Sequence, residues 1–213
     1  MSVSRETTTA VPPPLTAAEF AKLVPVSRET LERLQLYADL LVKWQAKINL
    51  VGPATLPDLW RRHILDSAQL FARLPAGPVL DLGSGAGFPG LVLAIMGAGP
   101  VHLVESDARK CAFLREAARV TGAAAIVHNL RIEALKPFPI VAVTARALAP
   151  LVQLLDWAEP FLQQSVKCLF LKGRNSEDEL TQAGKTWMMT TERIPSLSDP
   201  SGLILQLCEV HRG

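Results

Sequence analysis

The stretch Val79-Leu80-Asp81-Leu82-Gly83-Ser84-Gly85-Ala86-Gly87-Phe88-Pro89-Gly90 constrains this chain more than any other. A short apolar strand carries an acid near its end, four glycines crowd into the next eight residues, and an apolar, helix-compatible run from Leu91 to Met96 follows. Glycine lets the backbone take positive φ and lets a ligand approach with no Cβ in the way. A glycine turn between a strand and a helix is where open α/β sheets hold nucleotide-like cofactors. Which cofactor is not settled by the glycines alone, because two patterns overlap.

Gly85-x-Gly87-x-x-Gly90 matches the dinucleotide fingerprint letter for letter. It begins three residues after the strand ends, however, whereas that fingerprint opens at the strand end. Pro89 falls where the helix begins and removes an N–H that a pyrophosphate would use. At 213 residues the chain is also short for a dehydrogenase with a conventional substrate domain. The second frame, Asp81-x-Gly83-x-Gly85-x-Gly87, starts where the strand ends and resembles the first motif of class I S-adenosylmethionine-dependent methyltransferases. That cofactor carries no phosphate, so Pro89 does little harm. Glu105 ends the next strand, where a carboxylate accepts hydrogen bonds from both ribose hydroxyls. It serves either cofactor; register and Pro89 favour S-adenosylmethionine.

Alternation of strands and helices along the rest of the chain predicts an α/β fold with a mostly parallel sheet. The expected strands are Val79–Leu82, Val101–Glu105, Ala124–His128, Ile140–Thr144 and Val166–Lys172, then a final pair, Trp187–Arg193 and Leu203–Val210, read as an edge hairpin. Helices are expected over Ala108–Thr121, Leu151–Leu162 and Glu177–Ala183. Before residue 75 there is no convincing strand. Leu31, Leu34, Tyr37, Ala38, Leu41 and Trp44 repeat at helical spacing after a start signal at Ser27, and a second helix is expected from Pro57 to Leu74. The organisation expected is a disordered tail over 1–14, a helical extension over 15–74 and a cofactor-binding core over 75–213.

A net charge of +2 demands no anionic partner, so a nucleic-acid face would have to come from clustering. Cys111, Cys168 and Cys208 have the spacing of neither a metal site nor a disulfide framework. Cys168 and Cys208 sit in apolar runs and read as small buried hydrophobes. No apolar run is long enough to span a bilayer and the Thr- and Pro-rich start lacks a signal-peptide core, so a reducing, cytoplasmic setting is expected.

Further segments carry a narrower resemblance. Trp44-Gln45-Ala46-Lys47-Ile48-Asn49-Leu50, Arg62-His63-Ile64-Leu65-Asp66-Ser67, Asp81 to Gly90 and Leu103-Val104-Glu105-Ser106 occur in that order. Arg109-Lys110, Phe113-Leu114, Arg131-Ile132-Glu133, Arg146-Ala147 and Leu171-Lys172-Gly173 follow. Together they resemble the RsmG (GidB) family of bacterial 16S ribosomal RNA guanine-N7 methyltransferases over about residues 30 to 210. The resemblance implies a class I, Rossmann-like methyltransferase sheet behind an N-terminal helical extension. The substrate implied is a guanine in the decoding-region loop of 16S RNA, free or in the 30S subunit. It further implies that Gly83, Ser84, Gly85, Gly87, Phe88, Glu105 and Ser106 hold S-adenosylmethionine, that Ile132 and Glu133 flank the adenine, and that Arg146 faces cofactor and substrate. Gln45, Val141 and Ala145 depart from the family's usual Asn, acid and Ser.

Guanine N7 has a free lone pair and no proton to lose, so its methylation needs no general base, and no catalytic base is recognisable here. Exocyclic-amine methylation usually goes with an Asn/Asp-Pro-Pro-aromatic motif after the fourth strand, where this chain reads Thr144-Ala145-Arg146-Ala147. No cysteine stands directly after that strand or in a Pro-Cys pair to act as a pyrimidine-C5 nucleophile. Arg146 is the positioning candidate, either meeting an RNA phosphate or a guanine acceptor or forming a structural ion pair with Glu133 or Asp81. His63 and Asp66, three apart on one expected helix, read as a hydrogen-bonded pair docking the extension on the core. Lys43, Lys47, Arg61, Arg62, Lys172 and Arg174 are the candidates for RNA phosphates. Trp44 continues the apolar stripe and reads as core, and Gly90 reads as a helix–sheet packing glycine. No metal is expected, and a monomer is.

Overall fold

A computed structural model describes residues 12–163 and 165–213. Seven strands form one sheet: β1 Val79–Leu82, β2 Val101–Glu105, β3 Ala125–Asn129, β4 Ala142–Arg146, β5 Lys167–Lys172, β6 Trp187–Pro195 and β7 Leu203–Arg212, in the order β3-β2-β1-β4-β5-β7-β6. The first five are parallel; β7 runs antiparallel to β5 and β6 antiparallel to β7, which is the expected edge hairpin. The strand order reverses between β1 and β4, so a crevice opens at the carboxyl ends of those two strands.

The helices are α1 Ala17–Leu23, α2 Arg28–Gln45, α3 Asp66–Ala68, α4 Gly90–Ile95, α5 Ala108–Thr121, α6 Leu151–Ala158 and α7 Ser176–Ala183. The hydroxyl of Ser27 caps α2 by accepting from the Thr30 N–H, and Leu34, Tyr37, Ala38 and Leu41 form its buried face. Each large side chain among them contributes about 1.5–3 kcal/mol by leaving water. They share one core with Leu91 of α4, Phe113 of α5 and Leu103 of β2. Trp44 packs there too, its ring 5.6 Å from that of Phe113. The opposite face of the sheet packs Leu151, Leu154 and Leu155 of α6 against Leu80, Val104 and Phe170. The helical extension thus closes one side of a three-layer fold.

Several expectations need correction. The helix expected over 57–74 is broken into a 3-10 turn Pro53–Asp58, a π turn Trp60–Leu65, α3 and a second 3-10 turn Phe71–Arg73. Pro57 cannot donate into a regular ladder, and the wall of the crevice takes the turns that follow. β4 lies two residues later than Ile140–Thr144, because pairing with β1 sets Val79 opposite Ala142. α6 ends at Ala158, with a 3-10 turn to Phe161. α1 was not expected, although its capping box of Thr16 and Glu19 was visible in the sequence. Residues 1–11 of the expected tail lie outside the described residues. By Pro13 the chain is held, its carbonyl accepting from Arg61 at 2.8 Å.

Candidate active site

The parallel strands deliver their carboxyl ends to a cavity of about 970 Å³. One half is walled by Gly83, Ser84, Gly85, Ala86 and Phe88 after β1, Glu105 at the end of β2 and Ser106 after it, Ile132 and Glu133 of a 3-10 turn, and Trp157 of α6. Gly83 takes φ +63°, and a Cβ there would lie 2.5 Å from Leu148. Gly85 takes φ +57°, and nothing lies nearer its Cβ position than the Gly83 carbonyl at 3.8 Å, so that position opens to the cavity. Glu105 accepts from the Gly85 N–H at 3.0 Å and the Asp107 N–H at 2.7 Å, which ties the glycine loop to β2. The indole N–H of Trp157 donates to Glu133 at 3.0 Å.

Two glycines do other work. Gly87 does not line the cavity, contrary to its expected place in the cofactor set. At φ +100° it lets the loop approach Leu91 and the Tyr37 hydroxyl, 2.7 and 3.1 Å from its Cβ position. Gly90 packs against Leu103 and Asp81 as expected, leaving no room for a methyl group. Beneath it Asp81 is fully buried and its carboxyl is pushed up to about 6 by burial, against the opposing pull of its hydrogen bonds. Thr144 Oγ1 donates to Asp81 Oδ1 at 2.7 Å, while Oδ2 has no partner among the described residues.

The other half of the cavity is walled by Thr55, Arg62, His63 and Asp66 of the extension, by Arg146 at the end of β4 and the residues to Pro150 after it, and by Ser196, Ser198 and Asp199 between β6 and β7. Arg146 is its centre. Nη1 donates to the Arg62 carbonyl at 3.0 Å and to Asp66 Oδ2 at 3.2 Å, and Nη2 to His63 Nδ1 at 2.8 Å. The guanidinium lies 4.8 Å from the centre of the Phe88 ring, on which His63 also stacks at 4.9 Å. Burial, Arg146 and Arg62 lower the His63 pKa to about 3, so the ring is neutral. With Nδ1 accepting, the ring proton sits on Nε2 and is donated to Thr55 Oγ1 at 2.7 Å.

This corrects two expectations. His63 and Asp66 do not bond each other; both bond Arg146. The ion-pair partner of Arg146 is Asp66, neither Glu133 nor Asp81. Of the expected phosphate contacts, Lys43, Lys47 and Arg174 are exposed. Arg62 lines the cavity and pairs with Asp199 at 3.1 Å. Arg61 is drawn inward by Asp58 at 3.0 Å. Lys172 is 7% exposed, its ammonium committed to Glu179 and the Ala149 carbonyl, both at 2.7 Å. Cys168 is buried, which pushes its thiol up to about 12, whereas Cys208 is only half-buried.

Sequence reasoning missed Tyr37, whose hydroxyl donates to the Ala86 carbonyl at 2.6 Å and so anchors the glycine loop to α2. It also missed Trp157 and the basic lining residues Lys110 and Arg131. Aromatic residues inside an apolar stripe give no signal of which has a polar tip at the site. Among the described residues no group of three or more His, Cys, Asp or Glu side chains could hold a metal ion, and no helix is long and apolar enough to cross a membrane.

Known proteins share both the sequence and the fold. The family described as rRNA small subunit methyltransferase G matches residues 30–203. A "Ribosomal RNA small subunit methyltransferase G" from Paramagnetospirillum magneticum is 66% identical over 88% of this chain and 93% of that one. A protein of the same name from Rhodospirillum rubrum is 58% identical over 93% of this chain and 100% of that one. Among solved structures, a ribosomal protein L11 methylase from Lactobacillus delbrueckii subsp. bulgaricus shares the fold, with a TM-score of 0.56, 16% identity, and 68% of this chain and 77% of that one covered. M. jannaschii TYW2, solved in complex with AdoMet, has a TM-score of 0.54 at 13% identity, over 79% of this chain and 80% of that one.

Proposed function

Because the chain belongs to the rRNA small subunit methyltransferase G family, and so is an S-adenosylmethionine-dependent methyltransferase of 16S ribosomal RNA, we propose that its target is N7 of a guanine in the decoding-region loop. Transfer is direct and in line, with no general base. When bound, S-adenosylmethionine supplies an electrophilic methyl group on a sulfonium.

The residues present fit that cofactor. Gly83, Ser84, Gly85 and Phe88 would cradle it, the lone pairs that Glu105 keeps beyond its two backbone bonds would accept from the ribose hydroxyls, and Ser106, Ile132 and Glu133 would border the adenine. Gly85 carries the fit, since a side chain there would occupy the space a ligand needs. Arg146, at the centre of the other half, would face the acceptor base.

The observation that carries the base-free reading is the state of the acceptor half. His63, which a proton-abstracting mechanism would employ, is neutral with both ring nitrogens engaged, and Asp66 is held in an ion pair. N7 presents no proton, so the reaction needs neither group as a base, and both are engaged in holding Arg146. What the chain supplies is orientation and exclusion of water, which is worth roughly 7–11 kcal/mol in well-oriented systems. Lys43, Lys47, Arg62 and Arg174 hold the RNA phosphates, and the protein works as a cytoplasmic monomer on 16S RNA, free or in the 30S subunit.

The test is transfer of a labelled methyl group from S-adenosylmethionine to 30S subunits and to free 16S RNA, both from cells lacking this protein, followed by mapping of the modified nucleotide. One N7-methylguanine in the decoding-region loop is the expected product. Label on an exocyclic amine, on C5 of a pyrimidine or on a ribose oxygen overturns the reading.

A further inference from the structure

The Arg62-His63-Ile64-Leu65-Asp66-Ser67 segment is not accounted for by cofactor binding, yet it makes an extended polar network. Asp66 is its hub. Oδ2 accepts from Arg146 at 3.2 Å; Oδ1 accepts from Ser198 Oγ at 2.6 Å and from Gln69 Nε2 at 3.2 Å. Gln69 in turn meets Ser196 Oγ at 3.0 Å and the Leu197 N–H at 2.8 Å. One carboxylate therefore joins the extension, the end of β4 and the β6–β7 loop around the acceptor half of the cavity. Arg146 and Asp66 are each 17% exposed, so their mutual attraction is screened little by solvent.

We propose that Asp66 is a positioning residue for methyl transfer, holding the Arg146 guanidinium in one pose and offsetting its charge beside the acceptor guanine. The inference rests on the N7 reading above.

Both the geometry and the charge of the Arg146 guanidinium require such a partner. Three of the five guanidinium N–H groups are taken by Asp66, His63 and the Arg62 carbonyl. The Nε–H and one Nη2 N–H have no acceptor among the described residues. An unrestrained arginine grips guanine through O6 and N7 together. That grip would occupy the lone pair that must attack. Asp66, His63 and the Arg62 carbonyl fix the direction of the two remaining donors, and in the proposed pose these are aimed at O6 so that N7 stays free.

In the transfer the N7 lone pair forms the new N–C bond, the C–S bond breaks with its electron pair going to sulfur, and the positive charge passes from the sulfonium to the guanine ring. No proton leaves. An uncompensated guanidinium against that ring would oppose the arriving charge, whereas a guanidinium paired with a carboxylate keeps its donors and loses most of its field at a distance. His63 meets the same need, because a neutral ring orients Arg146 without adding charge.

The experiment compares wild type with Asp66→Asn, Asp66→Glu, Arg146→Gln and the Asp66→Asn/Arg146→Gln double variant. The readouts are single-turnover methyl transfer to 30S subunits at saturating RNA and cofactor, calorimetric affinity for S-adenosylmethionine, and thermal midpoint. Asp66→Asn should bind the cofactor as wild type does and transfer on the order of 30-fold more slowly. The double variant should be faster than Asp66→Asn alone, because the uncompensated charge has gone; a purely structural Asp66 would give no such recovery. Asp66→Glu, which keeps the charge, should stay within about threefold of wild type. It serves as the second variant should Asp66→Asn lose its fold. Wild-type transfer by Asp66→Asn, a double variant no faster than that single, or a Glu variant as slow as Arg146→Gln overturns the inference. If wild type itself modifies another atom, the N7 reading fails first, and the two failures are distinct.

Discussion

Asp81 lies fully buried under Gly90, and its carboxyl is raised to about 6 from an ordinary 3.8. A folded-state pKa above the unfolded one means that the native state binds the extra proton. The resulting stability is fully present below pH 3.8 and is lost as pH rises through 6, amounting to about 3 kcal/mol. Asp81→Asn carries no such charge. Relative to wild type it should gain about 2 kcal/mol at pH 8 and lose that advantage by about pH 4. Urea unfolding of both proteins at the two pH values measures this; a difference that does not change with pH rules it out. His63 has the opposite linkage. Its pKa is lowered from 6.5 to about 3, so its contribution is full above 6.5 and lost as pH falls towards 3. It is common to wild type and Asp81→Asn and cancels in the comparison. Gly85 and Gly87 separate ligand space from packing space. Gly85→Ala should cost about 1–2 kcal/mol of stability for its left-handed backbone and lower cofactor affinity at least tenfold. Gly87→Ala should lose more stability, since its methyl meets Leu91 and Tyr37. Calorimetric titration together with thermal melts distinguishes the two, and equal effects on affinity and stability at both positions would contradict the division.

Among the elements, the turn after β4 is held under strain. Ala147 sits at φ +48°, a region that residues with a Cβ seldom adopt, and Leu148 then presses on Gly83. What holds it is the pair from β5 and α7: Lys172 reaches the Ala149 carbonyl and Glu179, and Glu179 accepts from the Leu151 N–H at 2.7 Å. Removing one partner leaves a nearly buried charge alone. Glu179→Ala should cost about 3 kcal/mol, and Lys172→Met/Glu179→Leu should recover most of it. Urea midpoints of the three proteins decide, and a double variant less stable than Glu179→Ala would show that the pair is not self-compensating. The π turn Trp60–Leu65 is the matching device on the other wall. Such turns re-aim side chains that a regular helix would place elsewhere, and here the segment brings Arg62, His63 and Asp66 to a single arginine from β4.

For the whole molecule the extension and the sheet act as one site. Tyr37→Phe deletes only the hydroxyl that reaches Ala86, leaving a buried carbonyl without its partner. It should cost about 1–2 kcal/mol and weaken cofactor binding from the far side of the loop. Replacing exposed Lys43 and Lys47 by alanine should leave cofactor affinity unchanged and flatten the log–log salt dependence of RNA binding by about 0.7–0.9 for each phosphate no longer neutralised. An unchanged slope in filter-binding titrations would place the RNA elsewhere. The sequence by itself determined what local rules govern. The strand–glycine–helix order over 79–96 and the acid at Glu105 specify a nucleotide-type cofactor at the carboxyl ends of the strands. The alternation after residue 75 specifies the parallel sheet with its terminal hairpin, and the stripe from Leu31 to Trp44 specifies α2. These are legible because glycine conformation and hydrophobic period act between near neighbours. Only the tertiary structure decided that Gly87 packs while Gly85 faces the cavity, that Lys172 is interior, and that Arg146 pairs with Asp66 from 80 residues away. A charge finds its partner across strands and turns that close in space, and no spacing along the chain records that distance.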